Sequence, residues 1–162
     1  MLKKITTAVF LLLILFTVTG CIAGEKTDPF NQQILKAEDA KTSIFSDKFF
    51  NSVDTIELKD VSDGTATAKA WIKNTSEQTI HKVVATNLPK LEDDYFYEGW
   101  LVQKAPGLDF FSTGELKYSE ETNEWILTYT SDEIKADYDF VVITLEKKDN
   151  DPSPDVHILE SR

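Results

Sequence analysis

The sequence predicts an all-β domain, an antiparallel β-sandwich of seven or eight strands, preceded by a leader and a partly helical tether. Three observations predict it. After Ser52 the chain breaks into short segments of alternating polarity, with turn residues recurring about every 8 to 15 positions. No stretch beyond that point holds a long apolar period of 3.6 residues. The run Phe140-Val141-Val142-Ile143-Thr144-Leu145 is apolar on both faces, as a strand covered from two sides must be. Short strands joined by turns, without helices between them, assemble antiparallel and not as a parallel α/β sheet.

Residues 1–20 read as an export signal: basic Lys3 and Lys4, an apolar centre over 8–16, and a small-residue end. The apolar run is about half the ~20 residues that a helix needs to cross a bilayer. Val18-Thr19-Gly20-Cys21 resembles the lipobox of prokaryotic lipoproteins. The resemblance implies cleavage before Cys21 and a lipid on its thiol, with the rest of the chain held at the extracytoplasmic face of the cell membrane. Cys21 is the only cysteine, so no disulfide can form within one chain. Each buried CH₂ of a lipid contributes ~0.8 kcal/mol, and two acyl chains anchor where one is marginal.

Cleavage removes two lysines and no acid, so the formal charge of -11 becomes more negative still. So acidic a chain repels nucleic acid, whose phosphates need clustered Lys and Arg, and composition alone offers no basic patch for anionic headgroups. Membrane attachment then rests on the lipid. Without cysteine beyond Cys21, thiolate metal ligation is excluded there, and no cofactor is expected. An aromatic share of 11%, with three tryptophans, is enough to build one core.

The tether is placed at 21–52. Asp28-Pro29 makes a helix start, an acidic N-cap followed by proline at the first helical position. Phe30, Ile34 and Ala37 then fit a short helix over 29–40, with an extended linker as the alternative. The domain spans 53–162. Its first strand is predicted at 55–60, turned by Ser62-Asp63-Gly64 into a second at 65–73. In that second strand Ala66, Ala68, Ala70 and Ile72 share one face while Thr67, Lys69, Trp71 and Lys73 share the other. Trp71 on the polar face is either a satellite contact or a binding aromatic. Asn74-Thr75-Ser76 makes the next turn, and further strands follow at 81–87, 95–103, 111–118, 125–129, 139–147 and 156–159.

From about Ile80 the landmarks resemble the extracytoplasmic C-terminal domain of anti-sigma-K factors. They are Asn87-Leu88-Pro89, Tyr97-Glu98-Gly99-Trp100-Leu101-Val102, Ser112-Thr113-Gly114-Glu115-Leu116, the strand from Tyr138 to Glu146, and Pro152-Ser153-Pro154. The resemblance implies a sandwich that binds or senses something outside the cell. It carries no sigma-factor binding, which in that family belongs to a cytoplasmic helical domain that this sequence lacks. It transfers no catalytic residue either.

Chemistry-bearing patterns are few. A Ser-His or Cys-His pair needs a histidine, and only His81 and His157 exist. Both alternate with apolar neighbours in predicted strands and are expected at the surface or an edge. From Asp149 the oxygen donors Asp149, Asp151, Asp155 and Glu160 fall near calcium-loop spacing, but Pro154 stands where the sharp turn needs glycine. A proline-stiffened solvated loop is the favoured reading there. In Tyr95-Phe96-Tyr97-Glu98-Gly99-Trp100 one set of alternating aromatics must be core and the other is free to meet a partner or a covering layer. The expected function is therefore a non-enzymatic, lipid-anchored module binding an envelope protein or a small ligand. A carboxylate-dependent hydrolase and a calcium-stabilised domain are the alternatives.

Overall fold

The computed structural model describes residues 47–162; the leader, Cys21 and the helix expected over 29–40 lie outside the described residues. A single helical turn, α1 (Asp47–Phe50), precedes nine strands: β1 (Ile56–Asp60), β2 (Thr67–Asn74), β3 (Thr79–Thr86), β4 (Tyr95–Gln103), β5 (Asp109–Glu115), β6 (Lys117–Ser119), β7 (Glu124–Ser131), β8 (Phe140–Lys147) and β9 (Val156–Ser161). All pairings are antiparallel, and the strands form one sheet in the order β5-β4-β8-β9-β1-β2-β3-β7-β6. The sheet curls on itself until it is nearly closed.

The closure explains the ninth strand. The segment 111–118, expected as one strand, is two. β5 lies on β4 and β6 lies on β7, at opposite ends of the sheet order, with Leu116 alone between them. Gly114, at φ 102°, adopts a backbone that side chains disfavour, and Leu116 turns fully inward while its N–H donates to the Tyr97 carbonyl at 2.8 Å. One short peptide thus ties both edges of the sheet together.

The interior is lined by one phase of each strand. Leu58, Ala68, Ala70, Val83, Ala85, Leu101, Leu127, Val141, Ile143 and Leu159 are all buried in a single cluster. The alternation expected in the second strand is present: Ala66, Ala68 and Ala70 are buried, whereas Thr67 and Lys69 are exposed. Tyr97 and Trp125 meet edge to face at 5.0 Å, a favoured geometry for aromatic pairs. Their polar ends donate to the turn above them, Tyr97 to the Pro89 carbonyl and Trp125 to the Leu88 carbonyl, each at 3.3 Å. Burial, followed by the negative charge of Asp60, pushes the Tyr97 phenol up to about 12.

β8 lies between β4 and β9, the central place its two apolar faces require. Val141 and Ile143 enter the interior, and Val142 joins Trp100, Val102 and Phe140 in a second cluster on the outside. Trp100 donates its indole N–H to the Thr144 hydroxyl at 2.8 Å. The two aromatic sets of the Tyr95–Trp100 run face opposite ways: Tyr97 belongs to the inner cluster and Trp100 to the outer, where Phe110 meets it edge to face at 5.9 Å, while Tyr95 is exposed.

The turn between β1 and β2 is organised by one carboxylate. Asp60 Oδ1 accepts from the Ser62 N–H and hydroxyl at 2.8 Å and from the Gly64 N–H at 3.0 Å, while Oδ2 accepts from the Ala66 N–H at 3.0 Å. Partial burial raises the Asp60 pKa, but the Gly64, Ser62 and Ala66 bonds outweigh it and hold the carboxyl below its usual value. Asp63 takes the left-handed conformation at φ 63°, which Asp tolerates. Asp60→Ala should cost about 2 kcal/mol, because several charge-assisted bonds go at once. Urea unfolding at pH 7 checks this; a midpoint within error of the parent would show that the turn forms without Asp60.

Candidate binding face

The outer face of β1, β2, β3 and β7 carries the side chains that the interior does not take. Strand register sets them in rows. Glu57 stands across from Lys69, Lys69 from Val84, and Val84 from Ile126. The next row runs from Trp71 to Lys82 to Thr128. A stripe of apolar and aromatic groups therefore crosses this face beside lysines.

α1 sits at one end of the face. Phe50 is 4% exposed, its ring 6.2 Å from that of Trp71. Lys73 Nζ donates to the Phe49 carbonyl at 3.0 Å and lies 3.9 Å from the centre of the Phe49 ring. The last turn of the expected tether is thus docked on the domain. Lys82 Nζ lies 5.8 Å from the Phe50 ring centre and 5.7 Å from that of Trp71, within cation–π range. Phe50, Trp71 and Lys82 wall a groove of about 970 Å³, with Val84 and Ile126 also among its lining. A second groove of about 630 Å³, bordered by Lys104, Phe140 and Arg162, shares Thr55, Glu57 and Lys59 with the first. These shared residues make the two grooves neighbours on either side of β1.

Trp71 is half-buried: it packs on Phe50, the satellite contact that the sequence allowed, and it also lines the groove. The candidate calcium ligands are placed otherwise. Asp149 Oδ1 accepts from the Asp151 N–H at 3.0 Å, and Asp151 Oδ1 accepts from the Ser153 N–H at 2.9 Å. Asp155 Oδ2 accepts from the Lys147 N–H at 3.3 Å, and Glu160 Oε1 pairs with His157 Nδ1 at 2.6 Å. Their carboxylates fold the loop and bridge to neighbours, and among the described residues no three or more His, Cys, Asp or Glu converge as a metal group. Cys21 lies outside the described residues.

His81 departs from expectation. It was expected at the surface or an edge, yet it is fully buried, because β3 has strands on both sides and His81 shares its inward phase with Val83 and Ala85. Its Nδ1 is 3.3 Å from the Thr113 hydroxyl and its Nε2 has no hydrogen-bond partner. That phase was visible in the sequence and is the signal that would have placed it.

Some acids also come together on the outside of β4. Burial raises the Glu98 pKa; the bond from the Ser112 hydroxyl at 2.5 Å lowers it, and the charges of Glu146 and Glu115 raise it again, leaving it above its usual value. Glu146 Oε1 accepts from the Asp155 N–H at 3.0 Å. Neither Glu98 nor Glu146 lines either groove. Among the described residues no helix is long and apolar enough to cross a membrane. Compared with family models, curated proteins and solved structures, the chain matches none.

Proposed function

We propose that this chain is a non-enzymatic binding module, held at the extracytoplasmic face of a prokaryotic membrane by lipid on Cys21, that takes a ligand or envelope protein on the outer face of β1, β2, β3 and β7. The observation that carries the reading is the groove beside Trp71, which opens where the chain from the anchor joins the domain at α1. Groups with an apolar body and a polar handle are suited to recognition. The likeness of the 80–162 segment to the outer domain of anti-sigma-K factors supports a sensor-like role, and the lipobox supports the address. Neither likeness assigns a pathway.

The address and the binding are tested separately. Cys21→Ser should leave the chain uncleaved or move it out of the membrane fraction, with loss of label from a radiolabelled fatty acid. Unchanged size and label would sink the anchor. For binding, the detergent-solubilised chain should gain thermal stability from a fraction of the envelope extract, and Trp71→Ala should abolish that gain. An extract without effect, or an effect indifferent to Trp71, would remove the module reading.

A further inference from the structure

The chain is strongly acidic, yet its basic side chains are not evenly spread. Residues 47–162 carry twelve Lys and Arg against twenty-four Asp and Glu. The two neighbouring grooves hold five of the basic groups, Lys59, Lys69, Lys82, Lys104 and Arg162, and only three of the acids, Glu57, Glu124 and Asp139. The remaining surface is left with seven and twenty-one. The fold therefore collects a locally positive track on an otherwise negative body, an arrangement that composition concealed.

We propose that this track binds a small amphipathic anion, a ligand with one or two phosphate or carboxylate groups and a flat apolar body. This rests on the reading of the same face as a binding site and narrows its ligand. Charge complementarity selects the anionic end: Lys59 and Lys69 are exposed, and Lys69 is in register with Val84 on β3. Trp71, Val84 and Ile126 select the apolar end, since they form the groove wall next to those ammonium groups. Lysine acts on such groups as a point charge and does not demand one planar geometry.

Size is set by the field around the track. At physiological salt, charges act over roughly 8 Å. A ligand confined to the grooves sees the basic cluster, whereas a long polyanion overruns it onto a surface where acids outnumber bases threefold. The same contrast disfavours flat docking on an anionic bilayer, which would bring that surface against like charge.

The probe is 1-naphthyl phosphate, titrated into the full chain in detergent with tryptophan fluorescence as readout. Saturable binding is expected, at least ten-fold tighter than for 1-naphthol, which lacks the anion, or for inorganic phosphate, which lacks the apolar body. Lys59→Glu with Lys69→Glu should weaken it at least ten-fold, and 0.5 M salt should weaken it too. Lys117→Glu, outside the track, should leave it unchanged. No saturation, equal binding of 1-naphthol, or indifference to the Lys59 and Lys69 changes would overturn the ligand class. So would binding to phosphatidylglycerol vesicles without binding of the soluble ester. If the esters fail while an envelope component still binds through Trp71, the module stands and only the anion is lost.

Discussion

On acidification from pH 6.5 to 4.5 the domain should lose about 2 kcal/mol of stability through His81 alone. The imidazole is fully buried, and burial is what lowers its pKa from 6.5 to about 3. Above pH 6.5 the ring is neutral in both the folded and unfolded chains, so its stability is fully present. Below 6.5 the unfolded chain takes up a proton that the folded chain refuses. Stability then falls with each unit of pH and levels out only near the folded value of about 3. Urea midpoints measured every half unit should follow this slope. His81→Leu should flatten it while costing little at pH 7.5, since the change also removes the unpartnered Nε2. An unchanged slope in that variant would mean that other groups govern the acid response.

Gly99→Val should be strongly destabilising at neutral pH, at about 3 kcal/mol, with Gly99→Ala at about 2 kcal/mol. Conformational freedom is not the reason; space is. A Cβ at Gly99 would stand 2.6 Å from Leu127 Cδ1 and 2.8 Å from Thr113 Oγ1, both closer than real side chains approach. Leu127 is 2% exposed in a filled interior, and Thr113 is branched at Cβ and stiff. Thr113 is also the hydroxyl beside His81, so the intrusion disturbs that contact. The two sites should therefore couple: the double change Gly99→Ala with His81→Leu should cost less than the sum of the single ones. Strict additivity in denaturation would show that Thr113 does not link them.

The strands were legible because alternation along one strand depends on nearest neighbours. The span 95–103 coincides with β4, and 139–147 differs from β8 by one residue at its start. The Ser62-Asp63-Gly64 turn is likewise where its residues placed it, although no local pattern signalled that Asp60 would accept four bonds. What a linear reading cannot hold is which strand lies beside which. The break at Leu116 follows from β5 and β6 belonging to different neighbours. The burial of His81 needed β7 beside β3, although its phase hinted at it. The basic track needed Lys104 and Arg162 to meet Lys59 across β1, positions far apart in the chain. Asp149, Asp151 and Asp155 lie in the loop that the sequence reads as proline-stiffened and solvated, whereas Glu160 lies within β9 and pairs with His157.

β9 also sets the order in which the molecule can assemble. It pairs with β8 on one side and β1 on the other, and among the described residues it is the only strand that joins the group β1-β2-β3-β7-β6 to the group β5-β4-β8. Its partner β1 lies about 100 residues upstream, so this pairing closes the longest loop in the fold. Contacts of such separation put folding on the millisecond-to-second scale. Until residues 156–161 arrive, the two groups are linked only at their outer edges, through the peptide at Leu116, and their inner borders, β1 and β8, present unpaired backbone to any other chain nearby. The hazard period of this protein is the interval before its last strand is in place.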